Sequence, residues 1–119
     1  MNLDEYITAH LARPFVWGEN DCILFSVTWI NLQTGRNYLA AFPPWSNARQ
    51  ALRLVQSIGG LAAEFDRRLT RIPPSQARDG DLALVGRTAC IFSGSRVVAP
   101  AAIGLQFMDR TQSCAAWYY

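Results

Sequence analysis

The chain has 119 residues, of which 50% are hydrophobic and only 17% are charged, so it is predicted to form one globular domain and not a disordered segment. Its formal net charge is +2, no Lys occurs, and the 11 Arg residues are scattered along the sequence. Nucleic-acid binding needs a basic stripe that can neutralise phosphates, and this composition argues against that class of function.

Two helices are predicted at the start of the chain. Asn2 caps the first, which ends at Arg13-Pro14. The second starts at Asn20 or Asp21 and runs to about Thr34, with Gly35 as its stop signal. This helix is apolar on most sides and is therefore predicted to be the central buried helix. Its two apolar faces are Phe25, Trp29 and Leu32, and Ile23, Val27 and Ile30.

Two shorter helices follow a linker with turn chemistry. Ser46 or Asn47 caps the third helix, and Gly59-Gly60 ends it. Its apolar stripe comprises Ala48, Ala51, Leu52, Val55 and Ile58. The fourth helix precedes Pro73-Pro74, and its arginines are interpreted as a solvated helix end, with Glu64 and Asp66 nearby.

After residue 79, the spacing of hydrophobic residues changes from that of helices to that of β-strands. Strands are predicted at 81–85, 89–93, 96–99, 105–108 and 115–119, with a hairpin loop at Gly94-Ser95. The prediction is therefore a single α+β domain over residues 1–119. Its helical half, about 1–70, packs on one face of an antiparallel sheet formed by about 79–119.

The cellular compartment is predicted from the N-terminus and the cysteines. Asp4 and Glu5 stand where a signal peptide carries positive charge, and no long apolar run occurs, so neither secretion nor membrane insertion is expected. Three cysteines, an odd number, predict free thiols in a reducing cytoplasm. A Cys90–Cys114 bridge is the alternative.

Cys22 is the candidate nucleophile. A thiol in the first turn of a helix experiences the positive end of the helix dipole, which favours the thiolate. The stretch FVWGENDCILF (residues 15–25) resembles the nucleophile region of NlpC-type cell-wall cysteine peptidases, which have a papain-like fold. GDLAL (80–84) and IFSG (91–94) are similar to two sheet segments of that family. This resemblance implies a working peptidase or amidase on peptidoglycan peptides.

The general-base histidine of that family is missing. Alignment on Gly94 places Thr88 or Ala89 at its position, and Thr88 is the first choice. His10 is the one histidine of the chain, and we interpret it as a packed core residue. A thiol without a base lacks both activation and the acid that protonates the leaving amine, which favours a degenerate site.

A second resemblance spans nearly the whole chain. The segments PFVWGENDCILF, RDGDLALVG and CAAWYY are similar to those of a family of small phage and prophage tail-region proteins that are distantly related to the NlpC type. It implies a structural tail-tip protein in the virion, made in the cytoplasm of the host bacterium. The implied partners are other tail-tip or hub proteins in a symmetric assembly, with peptidoglycan as a further contact. A tail assembly factor is a second alternative to the structural role.

Four aromatic residues are candidates for a protein interface. Trp45 follows Pro43-Pro44 in a linker, which is typical of an exposed anchor. Trp117, Tyr118 and Tyr119 are expected either to complete the sheet edge or to pair with a neighbouring subunit. Trp17 and Trp29 are interpreted as core residues.

No metal or cofactor is predicted. Cys22, Cys90, Cys114 and His10 include enough zinc ligand types but lack the paired spacing that zinc sites have. Gly59-Gly60 and Gly80 are interpreted as turn glycines, because no nucleotide-binding motif surrounds them. Asp81 is interpreted as a turn cap.

Overall fold

The fold is α+β, with four helices and a six-stranded antiparallel sheet. The computed structural model describes residues 1–119, apart from the side chain of Ala41. The helices are α1 (Leu3–His10), α2 (Cys22–Thr34), α3 (Ala48–Ser57) and α4 (Leu61–Arg68). The strands are β1 (Thr70–Ile72), β2 (Leu82–Val85), β3 (Thr88–Ser93), β4 (Arg96–Pro100), β5 (Leu105–Asp109) and β6 (Ala115–Tyr118).

The helix ends follow the predicted capping chemistry. Asn2 and Glu5 form a capping box on α1, and the Asp21 carboxylate caps α2 by accepting from the Leu24 amide. Gly35 ends α2 in the left-handed conformation, and Asn47 is the residue that caps α3. All four predicted helices are therefore confirmed.

The sheet order is β1-β6-β2-β3-β4-β5. The five predicted strands are confirmed with ends shifted by at most one residue. β1 was not predicted, because a three-residue strand is too short for a periodic signal. The C-terminal strand β6 lies between β1 and β2, so the expectation that the terminal Trp117, Tyr118 and Tyr119 complete the sheet edge or pair by strand addition with a neighbouring subunit is wrong.

Apolar side chains cover both faces of the sheet. The main core packs α1, α2 and α4 against one face through residues such as Phe25, Ile30 and Ile91. A second, smaller cluster around Phe92 and Val97 lies on the other face. Alternate residues of β3 thus enter different cores, as the two-residue period of a strand requires.

α2 is the central helix, as predicted. Phe25, Trp29 and Ile30 are buried, and the Trp29 indole donates to the Gly80 carbonyl across the sheet end at 2.8 Å. Leu32, which was assigned to the same face as Phe25 and Trp29, is instead exposed. Within the residues described, no helix combines the length and the hydrophobicity that crossing a membrane would require.

Candidate functional site

Cys22 is the first residue of α2, as the sequence predicts. Asp21 is the residue before it and is fully buried. The Cys22 side chain is half-buried, packs against the main core and also lines an open groove. The structure thus provides the helix position and the access that a nucleophile needs.

The electrostatics of the Cys22 thiol oppose its ionisation. Burial raises the pKa of Cys22 above its ordinary value of 9.0, and the charge of Asp21 raises it further. The backbone amides of Ala89, Cys22 and Ile23 act in the opposite direction without reversing the shift. At neutral pH the sulfur is therefore a thiol and not a thiolate.

The position facing Cys22 on the sheet belongs to Ala89. Ala89 is completely buried in the same core into which Cys22 packs, and its backbone amide acts on the sulfur. Thr88 pairs with Val85, which packs against the cluster on the opposite face of the sheet. The assignment of Thr88 to the histidine position therefore places it on the wrong face of the sheet, and the residue on the Cys22 side is Ala89, the other candidate.

His10 is engaged elsewhere. Its Nδ1 donates to the Tyr6 carbonyl at 2.7 Å, and its Nε2 accepts from the Arg13 guanidinium at 3.1 Å. The ring lies tilted against Tyr6 and meets Phe25 edge-on. Both ring nitrogens have partners other than Cys22, which supports the interpretation of His10 as a core histidine.

The aspartate of the Asp-Cys pair, Asp21, has a structural role. The Asp21 carboxylate accepts from the Gly18 amide at 2.9 Å, from the Leu24 amide at 2.9 Å and from the Trp45 indole at 2.7 Å. These bonds join the turn before α2, the helix itself and the linker before α3. Trp45 is consequently buried, and the expectation that it is an exposed anchor is wrong.

The C-terminal aromatics divide between core and surface. Trp117 is completely buried on β6, and its indole donates to Asp66 at 2.8 Å, so its assignment to an interface is wrong. Tyr118 and Tyr119 keep exposed surface. The Tyr119 hydroxyl nevertheless donates to the Gly80 carbonyl at 3.0 Å, which fixes its ring against the sheet end.

The groove beside Cys22 has a volume of about 610 Å³. We call it the Cys22 groove. It is lined by Trp17, Cys22, Ile23, Ala48, Ala51, Leu52, Val55, Gln56, Gly59, Gly60, Leu61, Ala62, Leu84, Gly86 and Arg87. Four residues of the apolar stripe predicted for α3 line this opening, namely Ala48, Ala51, Leu52 and Val55, and Val55 also packs against the main core.

Two residues of the groove were not recognised from sequence. Trp17 was interpreted as core, but it is half-exposed, stands edge-on to Phe15 and lines the groove. Arg87 lies in the tight turn between β2 and β3. An Arg in a hairpin turn carries no sequence signal, because its role depends on which element lies opposite.

A family match covers the full length of the chain. A profile described as "Domain of unknown function (DUF6950)" matches residues 1–119. The chain belongs to this family. No curated protein and no solved structure matches it.

In this DUF6950 domain, Cys22, Cys90 and Cys114 are all free thiols. Burial raises the pKa of Cys90 to about 12. In the part of the chain that the structure describes, no three His, Cys, Asp or Glu side chains come together as metal ligands. The site of the DUF6950 domain is thus a protonated thiol at the edge of an apolar groove, and that groove is suited to binding.

Proposed function

We propose that the protein is a structural component of a bacteriophage tail tip, in which a catalytically degenerate NlpC-like domain binds other tail proteins. One observation carries the degenerate part of the proposal: the sheet residue whose backbone amide acts on the Cys22 sulfur is Ala89, which has no side-chain base, and the single histidine is bonded elsewhere. Amide hydrolysis by a thiol needs a base to activate it and an acid for the leaving amine. The described site offers neither.

The arrangement of elements supports the NlpC-like part. In the resemblance, the nucleophile opens the central helix and the base stands near the start of a neighbouring strand. Here α2 opens on Cys22 and packs on β3, whose second residue is Ala89. The GDLAL segment leads into β2, next to β3. This order of elements supports the proposal of such a site in which one of the two residues is replaced.

The binding part is supported by the Cys22 groove. An open apolar surface in a small domain is typical of an interaction site, because water disfavours leaving it uncovered. The tail-tip location comes from the resemblance of the whole chain to phage tail-region proteins. In this proposal the domain resides in the virion within a symmetric assembly, after synthesis in the host cytoplasm.

The test uses a phage or prophage that encodes this chain. Virions are purified and their proteins are identified by mass spectrometry, and the same is done for virions assembled with Cys22→Ala. We expect the protein in both particles and an unchanged infectious titre for the variant. Absence from the finished particle, with tail assembly still dependent on the gene, would instead support an assembly factor.

A working cysteine hydrolase is the second candidate, and the opening of Cys22 into a groove of about 610 Å³ is the observation that favours it. In this alternative the substrate is a peptidoglycan peptide and Cys22 is the nucleophile. Purified protein is incubated with digested peptidoglycan, and products are sought by mass spectrometry, with Cys22→Ala as control. Cleavage by the native protein alone would overturn the degenerate assignment.

A further inference from the structure

The Cys22 groove has an apolar wall that none of the described residues covers. α3 presents Ala48, Ala51, Leu52 and Val55 to it, and the Leu52 side chain remains 45% exposed. α3 has an amphipathic sequence, yet only Ala51 on this helix is buried. A helix whose apolar stripe borders an open groove is stabilised when a partner fills that groove.

The charge of the groove indicates which charge a bound partner should carry. Arg87 is the one charged side chain among its lining residues, and it is exposed. Over the described residues Arg87 forms no salt bridge. The groove therefore favours an apolar occupant with a negative group.

The size of the groove limits the occupant to a short segment. A volume of about 610 Å³ lies in the range of sites for small ligands and corresponds to a few amino-acid residues. The groove runs between α3, the start of α4 and the β2–β3 turn, with Cys22 and Trp17 beside them. An extended peptide fits this space, whereas a helix about 10 Å wide needs a longer surface.

We propose that the Cys22 groove binds an extended apolar segment of a partner protein that carries one carboxylate, and that Arg87 pairs with that carboxylate. This inference rests on the proposed function in that it names the chemistry by which the domain holds a neighbouring protein. The apolar side chains of the segment cover the stripe of α3, and the retained thiol of Cys22 is part of the contact surface.

The test uses three fluorescein-labelled libraries of capped pentapeptides, with Glu, Gln or Lys fixed at the centre and Val, Leu or Ile elsewhere. Binding to the full chain is measured by fluorescence polarisation. An exposed ion pair contributes about 1 kcal/mol, so we expect the Glu library to bind about fivefold more tightly than the Gln library. The Lys library should bind most weakly.

Variants of the chain test whether the groove causes the preference for the Glu library. Arg87→Gln should abolish the preference for Glu, and Arg87→Glu should reverse it toward Lys. Arg96→Gln is the matched control, because Arg96 is exposed on β4 and does not line the groove. Ala48→Trp fills the groove from an exposed helix position and should weaken binding of all three libraries.

Several outcomes would overturn the inference. These are equal affinity for the three libraries, no binding of any library, and a preference that survives Arg87→Gln. Binding of dodecanoate without binding of peptides would indicate a lipid occupant and would also overturn it. Because the assay needs only the purified chain, its result is independent of whether the protein is found in virions.

Discussion

The indole nitrogen of Trp45 donates a 2.7 Å hydrogen bond to Oδ2 of Asp21, the residue immediately before Cys22. The same oxygen accepts from the Gly18 amide, and Oδ1 caps α2 through the Leu24 amide. One buried carboxylate therefore holds three segments together at the edge of the Cys22 groove. This arrangement gives the aspartate before the cysteine a structural role that does not depend on catalysis.

The bond between Asp21 and Trp45 predicts a measurable coupling. Hydrogen bonds to charged groups contribute about 1.5–3 kcal/mol, so the coupling energy in a double-mutant cycle with Asp21→Ala and Trp45→Phe should lie in that range. Urea denaturation of the native protein, both single variants and the double variant gives the four free energies. Additive effects would show that the two side chains do not interact.

Gly18 is predicted to be irreplaceable for a reason that Gly35 does not share. Both glycines have positive φ, at 80° and 72°, but a Cβ on Gly18 would lie 1.9 Å from the Trp45 carbonyl oxygen, whereas a Cβ on Gly35 meets nothing within 4 Å. Gly35→Ala should cost about 1–2 kcal/mol for its left-handed backbone alone. Gly18→Ala should cost several kcal/mol more by thermal or urea unfolding, since backbone must move. Similar losses for the two variants would contradict the close approach of residues 18 and 45.

The sequence predicts the helices and most strands because their signals are local. Asn2, Asp21 and Asn47 each cap a helix through a side chain, and Gly35 ends one through its φ, so the neighbouring residues suffice. The helix-then-sheet order also follows from the change of hydrophobic period at residue 79. The insertion of β6 between β1 and β2 depends on long-range pairing, which no local pattern encodes.

The errors at the site have the same origin. Trp45 follows two prolines and was therefore predicted to be a surface residue. Its burial accompanies a hydrogen bond to the Asp21 carboxylate, 24 positions away. Thr88 and Ala89 differ by one residue of register, which reverses the face of a strand. The position of Cys22 was predictable because it needs only the cap before it, whereas the groove needs α3, α4 and the β2–β3 turn together.

The raised pKa of Cys22 predicts its reactivity with pH. Burial favours the neutral thiol, so the rate of alkylation by iodoacetamide should be low at pH 7 and should rise with a midpoint above the ordinary value of 9.0. Because the pKa in the folded state exceeds that in the unfolded state, ionisation above pH 9.0 should also reduce stability. Peptide mapping by mass spectrometry separates Cys22 from Cys114, which is exposed and serves as the internal reference.

The His10→Gln variant is the control for this reactivity. Both nitrogens of His10 are bonded to groups other than the thiol, so the alkylation profile of Cys22 should not change. Fast alkylation at neutral pH that is lost in His10→Gln would identify a cysteine-histidine pair and would favour the hydrolase.

A histidine at position 89, but not at 88, should favour ionisation of the Cys22 thiol. Ala89 lies in the core against which Cys22 packs, and its backbone amide acts on the Cys22 sulfur, whereas Thr88 lies on the other face of β3. An imidazolium near a thiol lowers the thiol pKa by about 1 unit or more, so Ala89→His should shift the midpoint of Cys22 alkylation to lower pH. Thr88→His, the matched control, should leave the midpoint where the native protein has it.

The larger side chain in Ala89→His also has a cost in stability. Ala89 is completely buried, and overpacking of a core typically costs about 1–3 kcal/mol, so the variant should unfold at a lower temperature while remaining folded at 25 °C. Circular dichroism before alkylation establishes that it is folded. If Thr88→His shifted the midpoint and a folded Ala89→His did not, the register that places Ala89 on the Cys22 side of the sheet would be incorrect.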